Sequence, residues 1–128
     1  MKGQEILFSK KSDIWSTPKD IYDSYIDKGY FDPCPIDPQF DGLSIDWGEL
    51  CFVNPPYSEI RKWLEKALFE IEKGNCSKAV FLIPARTDVR WFHDLIYHKF
   101  DIQFIKGRLK FGDSKNSAPF PSMFVWLK

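Results

Sequence analysis

The sequence has no excess of either charge: eighteen Lys and Arg stand against eighteen Asp and Glu, a formal net charge of +0. No global field draws a polyanion in, so any nucleic-acid contact has to come from a local patch. Cysteine is scarce too. Cys34, Cys51 and Cys76 form no Cys-x-x-Cys pair, have no histidine at zinc-ligand spacing and are odd in number. That pattern argues against a disulfide framework or a metal site and suits a reducing cytosol. No apolar run approaches the roughly eighteen residues of a membrane span, and the opening MKGQEILFSKKSD has no long apolar core, so neither an anchor nor an export signal is expected. Repeats, low-complexity tracts and Gly/Ser-rich linkers are absent as well. Residues 1–128 are therefore expected to form a single domain, with an N-terminal extension over 1–12.

Aromatic side chains, by contrast, are abundant. Twelve Phe, five Trp and five Tyr are more than a core of this size needs, so some are expected on a surface where flat rings meet flat ligands. Along the chain, Ser16 or Thr17 can cap a helix with Pro18 in its first turn and Ile21, Tyr22, Tyr25 and Ile26 as its apolar stripe; Gly29 stops it. YFDPCPIDPQFDGL follows, a proline-rich loop after a very short strand, carrying Asp32, Asp37 and Asp41.

LCFVN reads as a buried strand, SEIRKWLEKALFEIEKG as an amphipathic helix capped by Ser58 and stopped by Gly74, and KAVFLIP as a second buried strand. This β-α-β unit predicts two parallel strands. DVRWFHDLIYHK predicts a further helix and FDIQFI a strand, while GRLKFGD and SMFVWL predict a closing antiparallel hairpin around a long, mobile loop. The class is α/β, with active loops expected at the carboxyl ends of the parallel strands.

The most informative stretch is CFVNPPYSEI, in which Asn54 ends a buried strand. Pro55 and Pro56 fix two φ angles and supply no N–H, so the carbonyls of Asn54 and Pro55 are held as rigid acceptors. With the Asn54 side-chain oxygen they can receive both hydrogens of a planar amino group, and Tyr57 can stack on the ring that bears it. A proline pair also ends strands with no ligand in view, and by itself the cradle suits any planar amine or amide.

The tetrapeptide with its strand resembles the catalytic motif of S-adenosylmethionine-dependent amino-group methyltransferases. WSTPKDIYDSY, FDPCP, FDGLSIDW, FVNPPYS, FLIPARTDVRWFHD, IKGRLKFG and APFPS follow one another as in the small phage-type DNA adenine methyltransferases. The resemblance runs from about Trp15 to the end. It implies a small, partly trimmed Rossmann-like methyltransferase fold with a mostly parallel sheet and a C-terminal antiparallel hairpin. It implies S-adenosylmethionine as cofactor, DNA as partner, no metal, and direct transfer to the amino group of an adenine flipped out of the duplex, in the cytosol of a phage-infected or bacterial host where restriction-modification operates.

By the same resemblance, Asn54, Pro55, Pro56 and Tyr57 are the catalytic group, and Thr17 and Pro18 meet the methionine end of the cofactor. Asp32 and Pro33 belong to its pocket, and Asp41 accepts from the amino group of its adenine. One departure stands out: Asp32-Pro33-Cys34-Pro35 replaces the Asp-Pro-Phe and Gly-x-Gly turn of many relatives, and a proline-rich loop cannot bring backbone as close to a ligand. The segment from Asp32 to Asp46 is also short for a crossover helix and second strand.

DNA contacts are expected from Arg86 and Arg90 after the KAVFLIP strand, and from Lys106, Arg108 and Lys110, whose alternation would put them on one face of a strand. His93 and His98, five apart, have poor geometry for a shared metal, and Trp63 and Trp91 are read as core. So small a chain leaves target choice to its loops or to a second copy in a homodimer, hence weak or very short sequence specificity. Rival readings are methylation of a protein glutamine amide or of the cytosine amino group, or a non-catalytic relative that binds nucleic acid.

Overall fold

The computed structural model describes residues 15–112 and 117–128; the expected N-terminal extension, and part of the loop expected to be mobile, lie outside them. Helix α1 spans Lys19–Asp27, strand β1 Leu50–Val53, helix α2 Ile60–Lys73 and strand β2 Lys78–Pro84. Strands β3, Asp101–Phe104, and β4, Ser122–Leu127, complete a four-stranded sheet of order β1-β2-β4-β3.

β1 and β2 are parallel, with Leu50 opposite Lys78 and Val53 opposite Phe81, as the β-α-β pattern requires. The other two pairings are antiparallel, β2 with β4 and β3 with β4. The sheet is therefore mixed and mostly antiparallel, which corrects the mostly parallel sheet expected from the sequence. The cause is β4: Met123, Val125 and Leu127 are fully buried, so this strand takes a central place and turns both neighbours antiparallel. One further parallel rung, Phe31 beside Cys51, is all that precedes β1. Between Phe31 and Leu50 there are only turns, so the short Asp32–Asp46 segment carries neither a helix nor a strand.

The expected C-terminal hairpin is redrawn as well. Residues 107–112 supply no strand; β4 pairs instead with Asp101–Phe104, Phe104 opposite Met123. Gly107 and Gly112, at φ +77° and +56°, break the extended run, and Leu109 and Phe111 turn inward onto the face of Phe52, Val80 and Leu82. The expected helix over residues 88–99 is shortened to 90–96, π-type over Phe92–Ile96, and is followed by extended Tyr97 and by His98 at φ +64°. Phe92 and Ile96 are its buried anchors, with Val89, Trp91 and Leu95 half-buried beside them, while Arg90, His93, Asp94 and His98 are exposed.

Each face of the sheet has its own core. α2 places Trp63, Leu64 and Ala67 against Val53, Ala79, Phe81, Ile83 and Val125. On the other face Tyr22 and Tyr25 of α1 pack on Phe52. α2 starts after a 3-10 turn at Tyr57–Glu59, with Glu59 rather than Ser58 at the cap position, and stops at Gly74, φ +87°, where the Asn75 N–H reaches the Glu70 carbonyl at 3.0 Å.

One charged residue of α2 lies on its buried face. Glu70 is fully buried, and its carboxylate accepts from Trp47 N–H at 2.6 Å, Lys66 Nζ at 3.0 Å and Asn75 Nδ2 at 3.2 Å. It clamps the approach to β1 onto the last turns of α2. Burial pushes this carboxyl up, but the three donors together outweigh that and hold it below its usual value.

Candidate active site

Asn54 lies immediately past the end of β1, on the side of the sheet where β2 also ends. Its amide nitrogen donates to the main-chain carbonyl of Trp15 and, at 3.0 Å, to Thr17 Oγ1. Its oxygen is buried with no hydrogen-bond partner among the described residues. Pro55 is buried and Pro56 half-buried, and Pro56 opens the 3-10 turn by accepting from Glu59 N–H at 2.9 Å.

Tyr57 is walled by aromatics. Trp15 lies nearly parallel to it, ring centroids 6.5 Å apart at 18°, and Phe120 meets it edge-on at 5.4 Å. The Tyr57 hydroxyl is buried without a partner, and burial pushes its pKa up, so it stays protonated at any working pH.

Two clefts meet at Asn54. One, of about 330 Å3, is lined by Thr17, Tyr22, Asp32 and Asn54 among others; the second, of about 530 Å3, by Pro33, Phe40, Asp41, Pro56 and Trp63. Cys34, Ile36 and Asn54 belong to both, so the clefts form one groove. Asp32 accepts from Cys34 N–H at 2.8 Å and from Tyr22 Oη at 3.0 Å. Burial nonetheless pushes its carboxyl up. Burial and the nearby Asp32 charge push the Tyr22 hydroxyl up to about 12, which keeps it a donor.

At the other end of the groove the Trp63 indole N–H is buried without a partner. Asp41 is exposed, and both its oxygens are used by its own turn, from Leu43 N–H at 3.0 Å and Ser44 Oγ at 2.7 Å. Those bonds hold its carboxyl below the usual range.

The proline-rich loop, which has no glycine turn, is met by a glycine from the next loop. A Cβ on Gly42 would fall 1.9 Å from the Pro33 carbonyl oxygen and 2.8 Å from the Trp63 ring, so only glycine lets this loop press on the proline-rich one. The Gly42 carbonyl in turn accepts from Trp47 Nε1 at 2.8 Å.

A third cavity, of about 290 Å3, is lined by Tyr57, Ile60, Pro84, Arg86, Trp91 and Phe120. Arg86 is thus brought beside Tyr57, and Trp91, half-buried and packed against the core as expected, also walls this cavity. Arg90 is on the same loop, outside the cavity lining. Lys106, Arg108 and Lys110 are exposed but lie on an irregular segment, so the shared strand face expected of them does not form. Lys110 and Pro18 instead border an open cleft with Lys19, Asp20 and Asp23.

Sequence reasoning missed Trp15 and Phe120 as walls of the site. The aromatic surplus was the signal, but nothing local says which rings converge. The cap expected from Ser16 or Thr17 does not form either: Pro18 occupies the cap position of α1, and the threonine oxygen turns to Asn54.

No curated protein and no solved structure matches the chain. One family model does, described as DNA N-6-adenine-methyltransferase (Dam), over residues 36–123. The matched span covers well over half of the chain, from the second cleft through the Asn54–Tyr57 turn and the Arg86 loop into β4, and leaves out Trp15, Thr17 and Asp32. The Asn54–Tyr57 turn, the second cleft and most of the lining of the aromatic cavity fall within that span, and the chain belongs to the DNA N-6-adenine-methyltransferase (Dam) family.

Proposed function

We propose that the protein transfers a methyl group from S-adenosylmethionine to the exocyclic amino nitrogen of adenine in DNA, on a trimmed Rossmann-like frame. The observation that carries this reading is the unpartnered, buried Oδ1 of Asn54, a residue that lines both clefts of the groove and stands three positions before the Tyr57 that lines the aromatic cavity. A buried acceptor without a donor costs about 1–3 kcal/mol, a cost that a substrate amine removes on binding.

The groove suits the cofactor at both ends. Asp32 lines the end suited to a charged amino-acid group, while Phe40 and Trp63, with its spare indole N–H, line the end suited to a purine. When bound, S-adenosylmethionine supplies an electrophilic sulfonium methyl. The protein's part is positioning. Asn54 Oδ1 and the Pro55 carbonyl accept the two amino hydrogens, which turns the nitrogen lone pair toward the groove. Tyr57, Trp91 and Phe120 enclose the base, with Tyr57 as its stacking face, and exclude water from it.

An adenine inside a duplex cannot reach this enclosure, so it is flipped out at a cost of a few kcal/mol. Arg86 and Arg90 hold phosphates at the rim, with Lys106, Arg108 and Lys110 as further backbone contacts. Such a role belongs in the cytosol of a bacterial host.

The test is incubation with labelled cofactor and unmethylated DNA, followed by digestion to nucleosides. Label in N6-methyladenine is expected. Label in protein alone, or DNA binding without transfer, overturns the reading. Asn54→Ala is expected to lower transfer by about 100- to 1,000-fold, the scale for losing one preorganised hydrogen-bonding group, with DNA binding kept.

A further inference from the structure

The Asn54 amide has one orientation open to it, and the reason lies outside the segment matched by the family. A main-chain carbonyl only accepts hydrogen bonds, so the amide face toward Trp15 must be the NH2. Turned over, Asn54 would set its own oxygen against the Trp15 oxygen. Thr17 Oγ1, at 3.0 Å, takes the second amide hydrogen. Both donors are then used within the protein, and Oδ1 is left on the opposite side, buried and unpartnered.

The Trp15 carbonyl is itself held in place. The Trp15 ring is wedged against Tyr57 at 6.5 Å, Phe111 at 5.6 Å and Phe120 at 5.2 Å. The Ser16 carbonyl accepts from Gly112 N–H at 2.7 Å. This three-residue stretch thus touches both the amide and the ring of the Asn-Pro-Pro-Tyr turn.

We propose that Trp15–Thr17 is a positioning strap that locks the Asn54 amide with its oxygen toward the substrate amine. This rests on the amino-methyltransferase reading above. Without the lock the amide can rotate about its last side-chain bond, and the wrong rotamer opposes NH2 to the incoming NH2. Thr17 also lines the groove, but its oxygen is engaged by Asn54, so its effect on the reaction runs through that amide.

Thr17→Val removes one anchor and keeps the shape. Its expected effect is a fall of about tenfold in kcat with the KM for S-adenosylmethionine unchanged, and Thr17→Ser is expected to restore kcat. A raised cofactor KM with unchanged kcat would mean that Thr17 serves the cofactor, and the proposal fails. The second readout needs no activity: nuclear magnetic resonance of the 15N side-chain amide of Asn54 in the DNA-free protein, assigned by its loss in Asn54→Asp. In Thr17→Val one amide proton is expected to shift and exchange faster, and in Thr17→Ser to return. If the amide signals are indifferent to Thr17→Val, the strap is refuted whatever the activity. If they respond while wild-type protein transfers no methyl group to any amine, the contact stands and the methyltransferase reading is what has failed.

Discussion

The two ends of the sheet treat buried polar groups in opposite ways. At the end where β1 and β2 begin, Glu70 is fully enclosed and accepts three hydrogen bonds, one from the ammonium of Lys66, itself nearly buried. At the end where those strands finish, the buried side-chain atoms without partners gather: Asn54 Oδ1, Tyr57 Oη, Trp63 Nε1 in the first turn of α2, and Ser122 Oγ opposite Pro84. Among the described residues, no such atom lies at the other end. Unmet hydrogen bonds cost stability, and a ligand bound at that end would relieve the cost. On the reading proposed above, one end holds the fold together and the other is kept ready for chemistry.

The largest expected effect breaks the satisfied end. Glu70→Ala leaves the Trp47 N–H and the Lys66 ammonium without their acceptor, and the expected loss is about 3–5 kcal/mol, the range for removing one partner of a buried charge pair. Urea unfolding measures it. Methyl transfer per folded molecule is expected to stay near wild type, because Glu70 is remote from Asn54. Collapse of activity in molecules that remain folded would show that the two ends are not separable. The pH dependence has a defined sign. The folded Glu70 carboxyl lies below its ordinary value of 4.5, so its contribution is complete above that pH and is lost as pH falls through the lower folded value.

Gly42→Ala acts at the border between the two ends. The new methyl would meet the Pro33 oxygen at 1.9 Å, closer than any relaxation of a side chain can cure, so the proline-rich loop has to move. A loss of about 1–3 kcal/mol is expected, the scale of overpacking. Pro33 and Gly42 both line the groove, so a cofactor affinity lowered by about tenfold is expected as well, a shift worth about 1.4 kcal/mol. Thermal melting and cofactor titration followed by tryptophan fluorescence separate the two. Lost stability with unchanged affinity would assign Gly42 to the framework alone.

How much of this was legible depends on how local the cause is. The Asn54–Tyr57 turn could be read from a buried strand pattern running into two prolines, and the end of α2 from Gly74, because both are set within a few residues. Glu70 was legible in principle: it falls on the stripe of Ile60, Trp63, Leu64 and Ala67, and a charge there predicts partners. The place of β4 between β2 and β3 was not, since strand order is decided by which strand buries most on both faces. Lys106, Arg108 and Lys110 alternate as a strand would, but the left-handed glycines at 107 and 112 bend the chain away. The bond from Asn54 to Trp15 joins residues 39 apart, and no sequence period reports it.

The smallest expected effect sharpens the comparison most, because it reverses the usual sign. Asp32 is a carboxylate like Glu70, but its two donors, the Cys34 N–H and the Tyr22 hydroxyl, carry no charge, and burial pushes its carboxyl above the ordinary 3.8. Its ionised form therefore costs stability. That cost is in full force above the folded pKa and is relieved as pH falls toward 3.8, opposite to Glu70. Asp32→Asn keeps an acceptor for Cys34 and can donate to the Tyr22 oxygen, so the fold is expected to gain up to about 1 kcal/mol at pH 7. The gain should vanish below pH 3.8, where the wild-type carboxyl is neutral too. Cofactor binding is expected to weaken in the same variant, since a carboxylate suited to an ammonium has gone. Melting at about pH 7 and about pH 3.5, either side of the carboxyl's titration, with cofactor titration at neutral pH, checks both halves. A variant less stable at neutral pH would show that Asp32, like Glu70, holds the fold together, and the distinction between the two ends would then rest on Asn54 and its neighbours alone.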